Sequence, residues 1–308
     1  MKIPYAITAG ICCLALASCE VEFDFSGLDD KPLFLIDGHL QADPFNPEYG
    51  DFQMYLYAVP SAAGEREFSE EARCTLKVYK NSELIDTKDY ITIESFYGLI
   101  ADNYNIVAGD EITVTAESDG FTVASAKTVV PRNPPEIEAS CTQEGDNLKI
   151  RFSFEDNADT EDAYALCFRA VTTSSRPDDM DTGGQSLELP SGNSSGSYFH
   201  NAGPFDVTWE DGYRYYGIFD DSFNGQRKEY EVTVPFFPTG NGNSYLRIEI
   251  QHISPERLRY EIACIDKGSN VLGFIGLSPV TFAYTNVSGG AGCLSSGNTG
   301  YTEWIEIP

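Results

Sequence analysis

The stretch CTLKVYKNSELIDTKDY at residues 74–90 decides the fold class of this chain. Its apolar residues Cys74, Leu76 and Val78 alternate with polar or aromatic neighbours, which is the period of a strand with one buried face. The KNS segment at 80–82 supplies turn-forming residues, and a second run of strand-forming residues follows it. The stretch therefore predicts two consecutive β-strands joined by a short turn.

Similar short runs continue on both sides of this pair. We predict further strands at 33–40, 53–58, 112–118 and 121–130. Six strands separated by turns within about 100 residues are typical of an immunoglobulin-like β-sandwich, which we expect over 33–131. The PRNPP segment that begins at Pro131 cannot lie in a central ladder, because proline has no N–H to donate, so it marks the boundary to a second domain over 132–308.

The second domain is also predicted to be rich in β-structure. The Ser- and Gly-rich segment 174–204 is expected to form long loops. One helix is predicted at about 254–267, because Ser254 can cap it, Pro255 suits the first helical position and Gly268 would end it. We expect this helix to pack on the second sheet. Strand patterns occur at 137–142, 148–155, 163–172, 213–219, 230–235 and 244–254.

The N-terminus has the pattern of an export signal. An apolar stretch at 6–16 follows a lysine and is shorter than the about 20 residues that a membrane-spanning helix needs. The sequence LASC at 16–19 resembles a bacterial lipobox, so we predict a lipoprotein signal peptide at 1–18 and lipidation of Cys19. Residues 19–32 are acidic and aperiodic, and we interpret them as a tether. Acyl chains on Cys19 would hold an extracytoplasmic body at a membrane.

The charge of the chain excludes one class of partner. With 48 acidic and 20 basic residues, the net charge is -28, and the acidic residues are spread along the chain. Nucleic acid is therefore not expected as a partner, because phosphate backbones attract clusters of Lys and Arg. We expect the acidic residues to keep a surface protein soluble, and we expect no cofactor.

Five cysteines remain after the signal peptide and Cys19 are set aside, so at least one thiol is unpaired within the chain. Two pairings are candidates. Cys141 and Cys167 lie on neighbouring predicted strands, and Cys264 and Cys293 lie in the C-terminal quarter. Buried single thiols are the alternative, and no Cys or His spacing indicates zinc.

Two acidic loops are candidates for cation binding. Asp220, Ser222, Asn224 and Glu231 fall at the first, third, fifth and twelfth positions of an EF-hand-like spacing with Gly225 at the sixth. The flanks of this loop look like strands rather than helices, so we expect a β-hairpin with an Asn-Gly turn and keep calcium as the alternative. The other loop, EDNADTED at 155–162, could also hold a hard cation, although a solvated acidic loop is the commoner outcome.

An aromatic stretch is the candidate ligand-binding surface. Trp209, Tyr213, Tyr215 and Tyr216 could stack on sugars or peptides. Strand alternation offers another interpretation, in which one set of these rings lies in the core. For catalysis, the chain has only three histidines and no motif of the GxSxG or HExxH kind, so we predict that it is not an enzyme.

Four features of the sequence occur in one order. They are the lipobox, AKTVVP at 126–131, IFDDSFNGQ at 218–226 and PVTFAYTNVSGGAG at 279–292. With these features the chain resembles a Bacteroidetes outer-membrane lipoprotein family, domain of unknown function 4249. It departs from the family pattern at Cys293-Leu294, where the family tends to carry Ile-Phe.

The resemblance implies an outer-membrane setting beside TonB-dependent transporters, with no catalytic residues to transfer. The EVEFD segment at 20–24 is similar to the surface-export signals of such lipoproteins, which would place the body on the cell surface. We therefore expect a non-enzymatic surface lipoprotein, an accessory or ligand-binding component of a TonB-dependent nutrient uptake system. The alternatives are a structural or adhesive surface protein and a hydrolase with an unrecognised carboxylate site.

Overall fold

The computed structural model describes residues 32–42, 51–59, 72–92, 98–102, 104–178, 184–189, 205–208, 214–269 and 284–308. Eighteen strands and one α-helix lie in these residues. The first seven strands are β1 (Leu33–Ala42), β2 (Asp51–Val59), β3 (Ala72–Lys80), β4 (Glu83–Thr92), β5 (Gly98–Asp102), β6 (Glu111–Glu117) and β7 (Ala124–Val129).

The remaining elements follow the proline-rich segment. They are β8 (Glu138–Glu144), β9 (Asn147–Glu155), β10 (Ala163–Thr173), β11 (Gln185–Ser186), β12 (Phe205–Thr208), β13 (Arg214–Phe219), β14 (Arg227–Pro235), β15 (Asn243–Ile253), helix α1 (Pro255–Ser269), β16 (Val287–Ser288), β17 (Ala291–Tyr301) and β18 (Ile305–Ile307).

One ten-stranded sheet runs through the described chain. Its main path is β12-β13-β10-β15-β17-β1-β2-β5, with β11 paired to β10 and β18 paired to β15. A five-stranded sheet, β16-β7-β6-β3-β4, and a three-stranded sheet, β14-β9-β8, complete the architecture. The long sheet is therefore the common layer of two β-sandwiches that lie side by side.

The first sandwich has the core that the alternating sequence predicts. In β1, β3 and β6 every second residue is buried, and these residues face one another between the two sheets. Cys74, Leu76 and Val78 of the opening stretch are all fully buried there. The prediction of a mainly β fold that begins with an immunoglobulin-like sandwich is confirmed.

The second sandwich explains why β10 is buried almost throughout. Tyr164, Leu166 and Phe168 face the core that the long sheet shares with the three-stranded sheet. Ala163 and Ala165 face the opposite side, where Leu258 of α1 packs on them. The expectation that the helix packs on the second sheet is confirmed, and its observed bounds lie within two residues of the predicted ones.

Strand β17 joins the two sandwiches and was not predicted. It pairs with β1 in parallel over Ala291 to Asn298 and with β15 in antiparallel orientation over Gly297 to Tyr301. Its sequence, AGCLSSGNTGY, shows no alternation because both of its faces are buried and closely approached. Gly292 has a φ of 98°, and a Cβ atom there would lie 2.0 Å from the carbonyl oxygen of Ile36.

The C-terminal strands also change the predicted domain organisation. β16 pairs with β7, and Val287 and Leu294 lie in the core of the first sandwich. The first unit therefore contains residues from beyond the proline-rich segment as well as from 33–131. In the described parts of the chain, no helix is long and apolar enough to cross a membrane.

Candidate metal centre

Three aspartates at strand ends meet at one place in the second sandwich. Asp156 follows β9, Asp162 precedes β10 and Asp220 follows β13. β10 and β13 are paired in a register that places Ala163 opposite Phe219, so the residues next to them are neighbours. The backbone N–H of Asp220 donates to the carbonyl oxygen of Asp162 at 3.1 Å. One oxygen from each of the three carboxylates lies within 4.8 Å of the others, and all three residues are buried.

Asp156 is held by neutral hydrogen-bond donors. The Tyr164 hydroxyl donates to Asp156 Oδ1 at 2.5 Å, and the backbone N–H of Gly225 donates to Oδ2 at 2.8 Å. Burial and the Asp156 hydrogen bond both raise the pKa of Tyr164 well above its ordinary value, so this hydroxyl keeps its proton. Gly225 has a φ of 70°, which the turn in the IFDDSFNGQ segment requires.

Asp162 is held by charged and polar donors. His252 Nε2 lies 3.0 Å from Asp162 Oδ1, the Thr160 hydroxyl donates to the same oxygen at 2.8 Å, and Arg132 Nη2 lies 3.6 Å from Oδ2. Burial raises the pKa of Asp162, but the hydrogen bonds from His252 and Thr160 and the charge of Arg132 outweigh it and hold the pKa below its usual range. Asp162 is therefore ionised.

Asp220 differs from the other two aspartates. Its residue surface is 1% exposed, and neither carboxylate oxygen has a hydrogen-bond partner within the described ranges. Burial raises the pKa of Asp220 to about 6, and the charges of Asp156 and Asp162 add to the rise. The backbone of Asp162 opposes this rise, but neither oxygen has a partner with ordinary hydrogen-bond geometry, so the centre contains a buried carboxyl group that its surroundings satisfy poorly.

The donor set of this centre fits a hard cation. Three carboxylates supply only oxygen ligands, which suit calcium and magnesium rather than zinc or copper. Two oxygens on opposite sides of a calcium ion, each at about 2.4 Å, are about 4.8 Å apart. The three carboxylate oxygens all lie within that distance of one another, so they are close enough to bind one ion. Asp159, Thr160, Asp221 and Ser222 on the same two loops are exposed, so the centre lies directly beneath the protein surface.

The EF-hand-like set is only partly brought together. Asp220 enters the centre, but Ser222 and Asn224 are exposed, and the Asn224 side chain donates to the carbonyl oxygen of Thr160 at 3.1 Å. Glu231 lies on β14, where its carboxylate accepts from Lys149 Nζ at 2.8 Å and Arg151 Nε at 2.6 Å. Glu231, the twelfth residue of the spacing, therefore forms two salt bridges on the opposite sheet and does not enter the centre.

The expected β-hairpin at this loop is also wrong. β13 belongs to the ten-stranded sheet and β14 to the three-stranded sheet, so the loop crosses from one layer of the sandwich to the other. A short 3₁₀ turn at Asp220–Ser222 makes the crossing. Because the acidic loop at 155–162 makes the reverse crossing, the two candidate loops end side by side. Sequence spacing could not show this, since the loops are far apart along the chain.

The aromatic candidates are buried where the structure describes them. Tyr215 is 2% exposed and Tyr216 is 4% exposed, so neither ring offers a face to solvent. The backbone N–H of Leu189 donates to the Tyr216 hydroxyl at 2.6 Å. Trp209 and Tyr213 lie outside the described residues, as does Cys19 with the signal peptide and most of the tether.

Tyr215 belongs to a second buried polar cluster. Its hydroxyl donates to Glu249 Oε1 at 2.6 Å, and Arg169 Nη2 donates to Glu249 Oε2 at 2.6 Å. Gln251 Nε2 donates to Oε1 at 3.0 Å. The Arg169 and Glu249 side chains are 6% and 2% exposed. Burial lowers the pKa of Arg169, but the adjacent Glu249 carboxylate outweighs this effect and raises it, so the guanidinium keeps its charge.

The candidate disulfide between Cys141 and Cys167 is not formed. Cys141 lies on the three-stranded sheet and contacts the core between the sheets, whereas Cys167 faces α1 on the far side of β10. Cys293 is a free, buried thiol whose sulfur lies 3.7 Å from the carbonyl oxygen of Glu256. The side chain of Cys264 lies outside the described residues.

A groove of about 620 Å³ lies between the proline-rich segment and the second sandwich. The proline-rich segment forms one wall, and the end of β17 with the residues after it and Ile250 of β15 form the other. Its volume is in the range of small-molecule sites. Its apolar lining residues are Pro134, Pro135, Ile137, Ile250, Tyr301 and Ile305.

The fold and these sites define a mainly β protein of two sandwiches on one shared sheet, with a buried carboxylate centre at one strand end. The chain belongs to the family described as domain of unknown function (DUF4249), whose model matches residues 57–303. The resemblance of the sequence to domain of unknown function 4249 is therefore confirmed. Among curated proteins, none matches this chain.

Similarity to solved structures is weak. A red sea bream transglutaminase is 10% identical over 73% of this chain and 29% of its own, with a TM-score of 0.22. A glycosyl hydrolase family 2 member from Bacteroides cellulosilyticus is 11% identical over 74% of this chain and 28% of its own, with a TM-score of 0.21. The collagen adhesin of S. aureus is 6% identical over 89% and 96%, with a TM-score of 0.22. The chain spans less than a third of the first two proteins, and likeness this low carries no argument about function.

Proposed function

We propose that this protein is a non-enzymatic, lipid-anchored surface lipoprotein that binds a ligand as the accessory component of a TonB-dependent uptake system in the outer membrane. The observation that carries the binding role is the groove between the proline-rich segment and the second sandwich. It is concave, is lined by residues of the proline-rich segment and of the second sandwich, and has the volume of a ligand site. The lipobox that ends at Cys19 supports the anchor, and the family resemblance supports the transporter partner.

The register of the long sheet supports this arrangement. Residue 32, at the end of the tether, lies next to the turn between β6 and β7, because the backbone N–H of Thr122 donates to the carbonyl oxygen of Pro32. Leu35 of β1 pairs with Ala291 of β17. Ten residues farther along β17 is Tyr301, which pairs with Glu249 of β15. Five residues farther in the same direction, β15 reaches Ser244. At 3.3 Å per residue this is about 50 Å. The second sandwich would stand farthest from an anchoring membrane.

The anchor is tested by metabolic labelling with palmitate in an outer-membrane-bearing host. We expect Cys19→Ala to abolish the label and release the protein from the membrane fraction. Cys13→Ala, within the signal peptide, is the matched control and should keep both the label and the location. An unlabelled wild-type protein would refute the anchor.

The partner is tested by affinity purification of the tagged full chain from detergent-solubilised outer membranes, with mass spectrometry of the recovered proteins. Stoichiometric recovery of a TonB-dependent receptor would support the uptake role. Recovery of no receptor from well-extracted membranes would refute it and favour an adhesive or structural surface protein. For the groove, Tyr301→Ala should reduce capture of the ligand without releasing the receptor, because the change removes one wall of the groove alone.

A further inference from the structure

The buried negative charge at the three aspartates requires compensation. Asp220 is 1% exposed, and neither of its carboxylate oxygens has a hydrogen-bond partner of ordinary geometry among the described residues. Asp156 and Asp162 place oxygens within 4.8 Å of it. A buried carboxylate between two others is costly unless a positive charge or a proton joins it. We propose that Asp156, Asp162 and Asp220 bind one calcium ion.

Calcium fits this centre better than magnesium or a transition metal. The three ligands are all carboxylates, and the imidazole nitrogen Nε2 of His252 is already directed to Asp162. Magnesium requires oxygens at about 2.1 Å in a near-ideal octahedron, whereas calcium takes six to eight oxygens at about 2.4 Å with a more flexible geometry. Bidentate carboxylates and water reaching the centre between the exposed loops would complete such a shell.

The ion would tie the second sandwich to the segment that leads into it. Asp156 and Asp162 bracket the acidic loop, and Asp220 begins the 3₁₀ turn of the opposite crossing. Asp162 also contacts Arg132 of the proline-rich segment, whose carbonyl oxygen lies 3.1 Å from His252 Nδ1. Calcium would therefore fix both crossings between the layers and hold the junction of the two units. This role is independent of the anchor and of the transporter.

The first test is thermal unfolding of the full-length protein, purified in detergent and stripped with a chelator. At neutral pH we expect saturating calcium chloride to raise Tm on the order of 5 °C relative to the chelated protein. Magnesium chloride at the same concentration should give a smaller rise. Titration calorimetry with calcium alone should give one ion per chain.

Asp220→Asn is the decisive variant because it keeps the shape of the side chain and removes its charge. We expect it to lose the calcium-induced rise in Tm. In the presence of chelator it should unfold at the same temperature as the wild type or higher, because a repulsion between buried carboxylates is removed. That second measurement shows that the variant is folded.

Two matched controls separate this site from its alternatives. Asp221→Asn removes the neighbouring exposed carboxylate, and Glu231→Gln removes the last ligand of the EF-hand-like spacing. Both should keep the full calcium response. Asp156→Asn should lose it, which provides a second test if the Asp220 variant does not fold. A wild type that calcium leaves unchanged, or an Asp220→Asn protein that still responds, would overturn the proposal.

Discussion

The buried ion pair between Arg169 and Glu249 offers a stringent test of the second sandwich. Substituting Glu249→Gln keeps the shape of the side chain, and its amide oxygen could still accept from Tyr215. It removes the negative charge 2.6 Å from the Arg169 guanidinium, whose side chain is only 6% exposed. Breaking a buried pair by removing one partner costs about 3–5 kcal/mol, because the other charge stays buried and uncompensated. We expect a fall in Tm of about 10 °C.

The assays are thermal unfolding and urea unfolding at neutral pH, both followed by tryptophan fluorescence. The double variant Arg169→Met, Glu249→Leu should recover most of the loss, since apolar residues of similar volume often replace a buried pair at little cost. Glu138→Gln, which removes an exposed partner of Arg227, should change little. A loss below about 1 kcal/mol for Glu249→Gln, or a double variant less stable than both single variants, would refute the reasoning.

Three further outcomes are expected. Gly292→Ala should destabilise the protein by about 3 kcal/mol or more in urea unfolding, because the added Cβ would overlap the neighbouring strand of the shared sheet. Gly109 also has a positive φ, but a Cβ there would have no atom within 4 Å, so Gly109→Ala should cost only about 1 kcal/mol. Burial lowers the pKa of His39 from 6.5 to about 3. The contribution of neutral His39 to stability is therefore present above pH 6.5 and is lost as the pH falls, by up to about 1.4 kcal/mol per pH unit. His39→Gln should reduce this dependence of the unfolding free energy on pH, and an unchanged dependence would contradict the assignment. In native protein, Ellman's reagent should label the half-buried Cys141 before the buried Cys167, because burial raises the pKa of the Cys167 thiol to about 12. Equal labelling rates would show that the second sandwich opens readily.

The sequence predicted those elements whose two faces differ. Apolar and polar residues alternate along β3 because one face of the strand lies in a core and the other face meets solvent. This period of two is visible in the sequence. Helix α1 was predicted from its capping residues and its apolar face, since these local signals do not depend on the rest of the fold. The family was also recognisable from short phrases in order, and its model confirms it.

Strand β17 shows where such signals end. It is central, buried on both faces and approached closely by β1, so small residues and glycines replace the alternating pattern. Burial of both faces, which follows from the central position of the strand, removes the alternation of apolar and polar residues. Because β17 brings the C-terminus back to the first sandwich, the sequence could not show that the two units share one sheet.

For the carboxylate centre, too, the sequence determined one part and the tertiary structure the other. The sequence by itself determined that acidic residues would follow β9 and β13, because polar loops must connect buried strands. Only the tertiary structure decided that the loops meet, since the pairing of β10 with β13 and the crossing of each loop between layers set Asp220 against Asp156 and Asp162. Local composition fixes which residues a strand end carries, whereas the distance between two strand ends depends on sheet pairing across the whole chain.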